Sequence, residues 1–151
     1  MERDIVLVLD NIRSLYNVGS MFRTADGFGV SKIWLCGITG TPLQNGLKKV
    51  ALGAENAVPW VHAAQTWRVL RRLRGEGYHG VGLETSPDAV PIRRFRAGPR
   101  TALIVGNEVD GLSPTVLKRL DTAVRIPMVG IKGSFNVAVA CGIALFSLTS
   151  P

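Results

Sequence analysis

The sequence predicts an α/β domain with a mostly parallel sheet and helices on both faces. Short apolar, β-branched runs alternate along the chain with longer segments at helical spacing, the order of a parallel sheet with crossover helices. Runs such as Ile5 to Leu9 and Thr101 to Val105 are apolar at nearly consecutive positions, as strands covered on both faces are. A third observation places a site. The polar residues Asn17, Arg23, Glu108, Ser134 and Asn136 lie in three segments that each read as strand, turn and helix, so three turns can meet at one edge of the sheet.

Taken in order, Ile5 to Leu9 is a buried strand stopped by Asp10 and Asn11, both turn formers. A helix from about Val18 to Phe28 follows, with Val18, Met21, Phe22 and Ala25 at helical spacing and Gly27 and Gly29 at its end, and Gly19 is read as part of a tight turn. Lys32 to Cys36 is the second strand. After a Gly-, Thr- and Pro-rich loop, Leu47 to Ala54 reads as a weak helix and Val58 to Val61 as a short strand. Ala63 to Arg74 sets Ala64, Trp67, Val69, Leu70 and Leu73 against Arg68, Arg71, Arg72 and Arg74, an amphipathic helix with a basic outer face. Tyr78 to Leu83 is a strand, Thr85 to Pro99 irregular, and Thr101 to Val105 a strand bounded by Gly106. Ser113 is placed to cap a helix that starts at Pro114 and runs to about Leu120. Val124 to Pro127 is the last strand, and Phe135 to Leu148 the last helix.

That last helix carries no charge on any face, which predicts that other elements or a partner subunit enclose it. The loop before it, Gly130 to Ser134, offers amides to a ligand at a helix N-terminus. On local sequence alone, Ser134 reads equally well as an N-cap and Asn136 as a helix-start residue. Glu108, in a Gly-bounded turn after the strand Thr101 to Val105, is placed to meet a ligand in the crevice, or is a solvated turn acid. An arginine on an otherwise apolar helix, as at Arg23, is costly to bury without an anionic partner, although a surface ion pair is the common outcome.

The 151 residues fit one domain, 1–151, with no linker expected. Lys and Arg outnumber Asp and Glu by 18 to 11, a formal net charge of +7, which favours polyanionic partners such as nucleic acid. Residues 1–4 carry both charge signs and no signal-peptide run, and the apolar tail is interrupted by Gly and Ser, so a cytosolic protein with no membrane span is expected. Cys36 and Cys141 sit in separate apolar runs away from His62 and His79, which reads as two structural thiols and no metal site. Gly80, Gly82 and Glu84 imitate part of a dinucleotide fingerprint, but Thr85 replaces the last glycine and the run lies within a strand. No phosphate-binding GxxxxGK[ST] is present.

Three stretches become specific together. DNIRSLYNVGSMFRTADGFGV, ALIVGNEVDGLS and IPMVGIKGSFNVAVACGIAL resemble, in this order, the three motifs of the SpoU/TrmH branch of the SPOUT methyltransferases, and ALGAENAVPW fits between them. The resemblance spans nearly the whole chain. It implies methyl transfer from S-adenosylmethionine to a ribose 2′-hydroxyl of RNA, a C-terminal deep trefoil knot, and a homodimer with sites near its interface. By position it gives Arg23 a catalytic role supported by Asn17, with Glu108 from the second motif and Ser134 and Asn136 from the third. It also places the cofactor against Leu83, Gly106, Glu108, Ile126, Met128, Ser134, Phe135 and Asn136. No metal is needed, because the sulfonium methyl is already electrophilic and the protein has only to align it and handle the hydroxyl proton. A guanidinium is a poor base, so Arg23 either loses a proton transiently, assisted by an RNA phosphate, or stabilises the developing alkoxide.

With no basic terminal extensions in the sequence, RNA contact is expected from Arg68, Arg71, Arg72, Arg93, Arg94, Arg96 and Arg100. Transfer RNA is slightly favoured over ribosomal RNA as substrate. Two other classes compete: an RNA-binding module that keeps the fold without catalysis, and a nucleotide-dependent oxidoreductase, which the missing fingerprint disfavours.

Overall fold

The computed structural model describes residues 2–151. The chain runs β1 (Asp4–Asp10), α1 (Leu15–Gly27), β2 (Lys32–Cys36), α2 (Asn45–Ala51), α3 (Ala54–Ala57), β3 (Trp60–Ala63), α4 (Thr66–Gly75), β4 (His79–Leu83), β5 (Val90–Pro91), a 3-10 turn (Ile92–Arg94), β6 (Arg100–Val105), α5 (Pro114–Leu117), β7 (Thr122–Arg125) and α6 (Val137–Thr149). The strands form one seven-stranded sheet in the order β3-β2-β1-β6-β4-β7-β5. Every strand pair is parallel. The predicted class therefore holds.

The consecutive apolar residues of β1 are explained by burial on both sides. Ile5, Leu7 and Leu9 join a core under α1 and α6, and Val6 and Val8 join a second core with Val69, Leu70 and Leu73 of α4 and Val116 of α5. Each such fully buried aliphatic side chain contributes about 1.5 to 3 kcal/mol relative to exposure. Both cysteines are buried among these side chains, and burial pushes the Cys36 and Cys141 thiols up to about 12. At that value they are neutral, inert core groups.

Local chemistry moves several boundaries away from the sequence reading. Ser14 accepts a hydrogen bond from the Asn17 amide and starts α1 at Leu15, three residues before the expected Val18. Gly19 consequently lies inside the helix, not in a turn, and a Cβ there would stand 2.7 Å from the Leu47 carbonyl oxygen. Close approach of α2 is what requires glycine. The expected helix from Leu47 to Ala54 is two short helices, broken where Leu52 and Gly53 adopt φ of 51° and 93°. Parallel pairing with β2 carries β3 on to Ala63, so α4 begins at Thr66 and Ala64 lies outside it. The segment read as irregular contributes β5, which pairs with β7 at Val124 and Arg125, while pairing with β4 starts β7 at Thr122, two residues before the expected Val124. Ser113 precedes α5 without a side-chain cap bond, and α5 ends at Leu117 rather than Leu120.

Candidate functional site

The site is assembled by the loops that leave the carboxyl ends of β1 and β6 and by the turn before α6. Asn107 ties the first two loops together, its Nδ2 donating to the Asn11 carbonyl at 2.7 Å while its Oδ1 accepts from the Val109 and Asp110 amides at 2.9 and 3.0 Å. The turn holds Glu108 toward β1. Its two carboxylate oxygens accept the Arg13 and Ser14 amides, each at 2.9 Å, and Oε2 also accepts Asn17 Nδ2 at 3.2 Å. Asn17 is 7% exposed and accepts a longer contact, 3.4 Å, from Asn136 Nδ2. Asn136 Oδ1 in turn accepts the Ala138 and Val139 amides at 2.9 and 3.2 Å. Asn136, not Ser134, is therefore the N-cap of α6. One chain of hydrogen bonds, Glu108 to Asn17 to Asn136, joins the three segments that the sequence singled out.

Partial burial by itself raises the Glu108 carboxyl. The Arg13 and Ser14 amides, its own amide and the Asn17 side chain outweigh that and hold it below the usual carboxylate value. Glu108 is thus an ionised acceptor at neutral pH, with its oxygens directed at loop amides.

Beside this network a cleft opens at the carboxyl ends of β4, β6 and β7. Leu83, Gly106, Glu108, Ile126, Met128, Ser134 and Phe135 all line it, and of the expected cofactor-contacting set only Asn136 does not. Gly106 is a built-in requirement: a Cβ there would sit 2.5 Å from both the Gly111 carbonyl carbon and the Leu112 nitrogen. The amides from Met128 to Phe135 donate to no acceptor among the described residues, so this rim has backbone donors free for a ligand. Apolar Leu83, Val105, Ile126, Met128 and Val137, free backbone groups and the carboxylates of Glu84, Glu108 and Asp110 suit an adenosine-like ligand that is apolar on its faces and polar at its edges.

Arg23 stands apart. It is exposed on α1 and has no hydrogen-bond or ion-pair partner among the described residues. Six residues beyond Asn17, it is displaced by about 9 Å along the helix and by about 120° around it. Of the two readings of Arg23, neither a guanidinium buried against an anion nor a surface ion pair is found among the described residues, because α1 buries Val18, Met21, Phe22 and Ala25 and Arg23 falls on the opposite side. Nor is α6 enclosed within the chain, since Val139 and Phe146 are 51% and 63% exposed.

A SpoU rRNA Methylase family model matches residues 4–146. The chain belongs to that family. Among curated relatives it is 34% identical, over 146 residues, to the 23S rRNA (guanosine-2'-O-)-methyltransferase RlmB of Vibrio cholerae, covering 96% of this chain and 58% of that protein. RlmB of Escherichia coli K12 is 32% identical, with 97% of this chain and 60% of the relative covered. The chain thus spans somewhat under two thirds of these relatives' length. Among solved structures, the AdoMet-bound rRNA methyltransferase from Sinorhizobium meliloti superposes with a TM-score of 0.90 at 31% identity, over 97% of this chain and 56% of that one. The TrmH/SpoU tRNA modifying enzyme of A. aeolicus gives 0.89 at 28%, over 98% and 75%.

The family motifs draw attention to Asn17, Arg23, Glu108, Ser134 and Asn136 but pass over Ser14 and Asn107. The signal for Ser14 was present, because a serine just ahead of a helical run is an N-cap pattern. The Asn107 side chain, bound two and three residues along its own turn, is the Asx geometry that Gly-Asn-Glu permits.

Proposed function

We propose that this chain is the methyltransferase domain of an S-adenosylmethionine-dependent RNA ribose 2′-O-methyltransferase that acts as a homodimer in the cytoplasm. The observation that carries the reading is the Glu108–Asn17–Asn136 network, which stands at the mouth of a cleft walled by the residues expected to meet the cofactor. The names and bound AdoMet of the relatives support the same chemistry. Residues 1–151 are read as one SPOUT domain, with the segment from β7 through α6 threaded as its trefoil knot.

Bound in the cleft, S-adenosylmethionine supplies a sulfonium-activated methyl group. Leu83, Ile126 and Met128 would enclose its adenosine, the free amides up to Phe135 would meet its polar edge, and Ser134 and Asn136 would fix the rim of the cleft. Glu108 holds the β1 loop and Asn17 in place, so the acceptor ribose meets a preformed wall. In the transfer the O2′–C bond would form as the S–C bond breaks, the sulfur leaving as a neutral thioether and the hydroxyl giving up its proton. Arg23 would either take that proton after giving up its own to an RNA phosphate, or stay protonated and stabilise the charge on the oxygen while the proton passes to water.

Arg23 faces away from this cleft in its own chain, so the reading needs a second copy. Uncharged, exposed Val139 and Phe146 on α6 and exposed Tyr16 on α1 form the apolar surface on which such a copy would pack. Ribosomal RNA is the first substrate to test, because the curated relatives carry that name at 32 to 34% identity. Transfer RNA is second, supported by the structural relative that modifies it.

The test is to incubate the protein with S-adenosylmethionine and unmodified 23S rRNA or transfer RNA transcripts, digest to nucleosides, and analyse them by mass spectrometry. A 2′-O-methylated nucleoside is expected from one transcript. Methylation confined to a base, or tight RNA binding without any cofactor binding, would overturn the reading.

A further inference from the structure

We infer that the outer face of α4 and α5 is a second RNA contact, a phosphate clasp in which Trp67 holds the guanidinium groups of Arg68 and Arg119. The inference rests on the reading of the chain as an RNA-modifying enzyme, and it adds where the RNA is gripped away from the cofactor cleft.

The clasp is assembled from two elements. Arg68 belongs to α4 and Arg119 to the turn that closes α5, yet each guanidinium carbon lies 5.2 Å from the centre of the Trp67 ring. Arg119 is fixed a second time, its Nη1 donating to the Thr115 carbonyl at 2.8 Å. Both arginines are exposed. Guanidinium groups held against an aromatic ring keep their hydrogen-bonding edges free and lose less freedom when a phosphate arrives.

The surroundings leave this charge uncompensated. Among the described residues, the exposed charged positions of α4, α5 and the turns that follow them are Arg68, Arg71, Arg72, Arg74, Lys118 and Arg119, against Glu76 and Asp121. Those two carboxylates are taken by Arg72 at 3.0 Å and Arg74 at 3.7 Å. Arg68, Arg71, Lys118 and Arg119 have no acidic partner among the described residues. A face that served only for solubility would intersperse the two signs. A membrane surface would call for apolar side chains beside the cations, whereas Val69, Leu70 and Leu73 of α4 are turned inward and buried. A polyphosphate strand needs only the cations.

The clasp is also continuous with the candidate site. A polar notch beside Trp67 is lined by Gln65, Thr66, Ser113, Asp10 and Asn11, and the loop that begins at Asn11 supplies the Arg13 and Ser14 amides that hold Glu108. RNA following the carboxyl edge of the sheet therefore reaches from the cleft to Trp67 over one surface.

The experiment measures binding of an unmodified 23S rRNA fragment across a salt series, for wild type, R68Q/R119Q, W67A and a K48Q/K49Q control. The control removes the same charge from exposed α2. R68Q/R119Q is expected to weaken binding roughly tenfold or more near 0.1 M salt and to flatten the salt slope by about 1.4 to 1.8, the value for two lost phosphate contacts. W67A, which removes no charge, is expected to weaken binding a few-fold with the slope nearly kept. S-adenosylmethionine affinity should be unchanged throughout. A wild type that binds and methylates RNA while R68Q/R119Q does so equally well, or a K48Q/K49Q control that loses as much, overturns the clasp alone. A wild type that binds no RNA overturns the proposed function and the clasp with it.

Discussion

Leu7 and Leu9 of β1 pack on the side of α1 and α6, and Val6 and Val8 on the side of α4 and α5. The inward contacts on the two sides are alike, since both are aliphatic layers closed against helices. The outward surfaces are opposites: α6 has no charged residue and presents Val139 and Phe146 to solvent, while α4 presents Arg68, Arg71, Arg72 and Arg74. Packing dictates only what points inward, so outward composition is where partners leave a mark. An uncharged outer face fits a protein surface, here a second copy under the proposed function, and a cationic one fits a polyanion.

The change expected to have the largest effect is Arg23→Ala. Arg23 lies on the outward side of α1 with no partner among the described residues, so the substitution should leave folding almost untouched. Methyl transfer should nevertheless fall by ~10³-fold or more if the guanidinium handles the proton or the alkoxide. S-adenosylmethionine affinity, read by calorimetry, should stay within about twofold. A variant that keeps wild-type turnover would remove Arg23 from the chemistry and leave the apolar face without a catalytic reason.

Next comes the apolar face itself. In Val139→Asp combined with Phe146→Asp, both side chains are already more than half exposed, so the stability of a single chain should change by only about 0.5 kcal/mol. Self-association, measured by light scattering, should be lost, and turnover should fall with it. A charged double variant that remained dimeric would mean that the copies meet elsewhere.

The sequence made the layer order legible because β1, β2 and β6 are short apolar runs and α1 and α4 have clear apolar stripes. It did not reveal β5, a two-residue strand with no pattern of its own that exists because β7 is there to pair with it. Ends of elements were read wrongly where a contact distant in sequence decides them, as β2 does for β3. The candidate site residues were legible as motifs, but their arrangement was not: nothing in the local sequence says that Glu108 faces the Arg13 and Ser14 amides, or that Arg23 turns away from them. Side-chain direction follows from which face of α1 the core claims, and that is a tertiary fact.

Between the two faces lies the carboxyl edge, and Gly106→Ala tests how closely it is packed. The added methyl would stand 2.5 Å from backbone atoms of Gly111 and Leu112, which are not free to swing aside. A loss of about 1 to 3 kcal/mol is expected, together with weaker cofactor binding as the turn that carries Glu108 shifts. Chemical denaturation and calorimetry would measure the two effects, and an unchanged melt would mean that the turn yields.

Glu108→Gln is milder in bulk but presents an NH₂ group to amides that are themselves donors. The expected cost is about 1 to 2 kcal/mol, reduced by the partial exposure of the site. Its pH dependence separates charge from shape. The carboxyl is held below its unfolded value, so its stabilisation is complete above the unfolded pKa of about 4.3 and is lost as pH falls through the lower folded value. Wild type should therefore lose its advantage over the glutamine variant on acidification through that window. A constant difference down to full protonation would show that the carboxylate charge contributes nothing.

The smallest expected effect is that of Asn136→Ala, which asks whether the third segment is tied to the other two or merely capped beside them. As the N-cap it accepts two amides of α6, and losing a cap of this kind costs about 1 kcal/mol. Its contact with Asn17 is long, 3.4 Å, and should add little on its own. Asn136→Asp separates the two functions, since the carboxylate still caps α6 and favours its N-terminus but cannot donate to Asn17. If the network matters only for positioning, Asp should restore the melting temperature lost in Ala while leaving turnover reduced. Equal recovery of both would reduce Asn136 to a helix cap and confine the positioning function to Glu108 and Asn17.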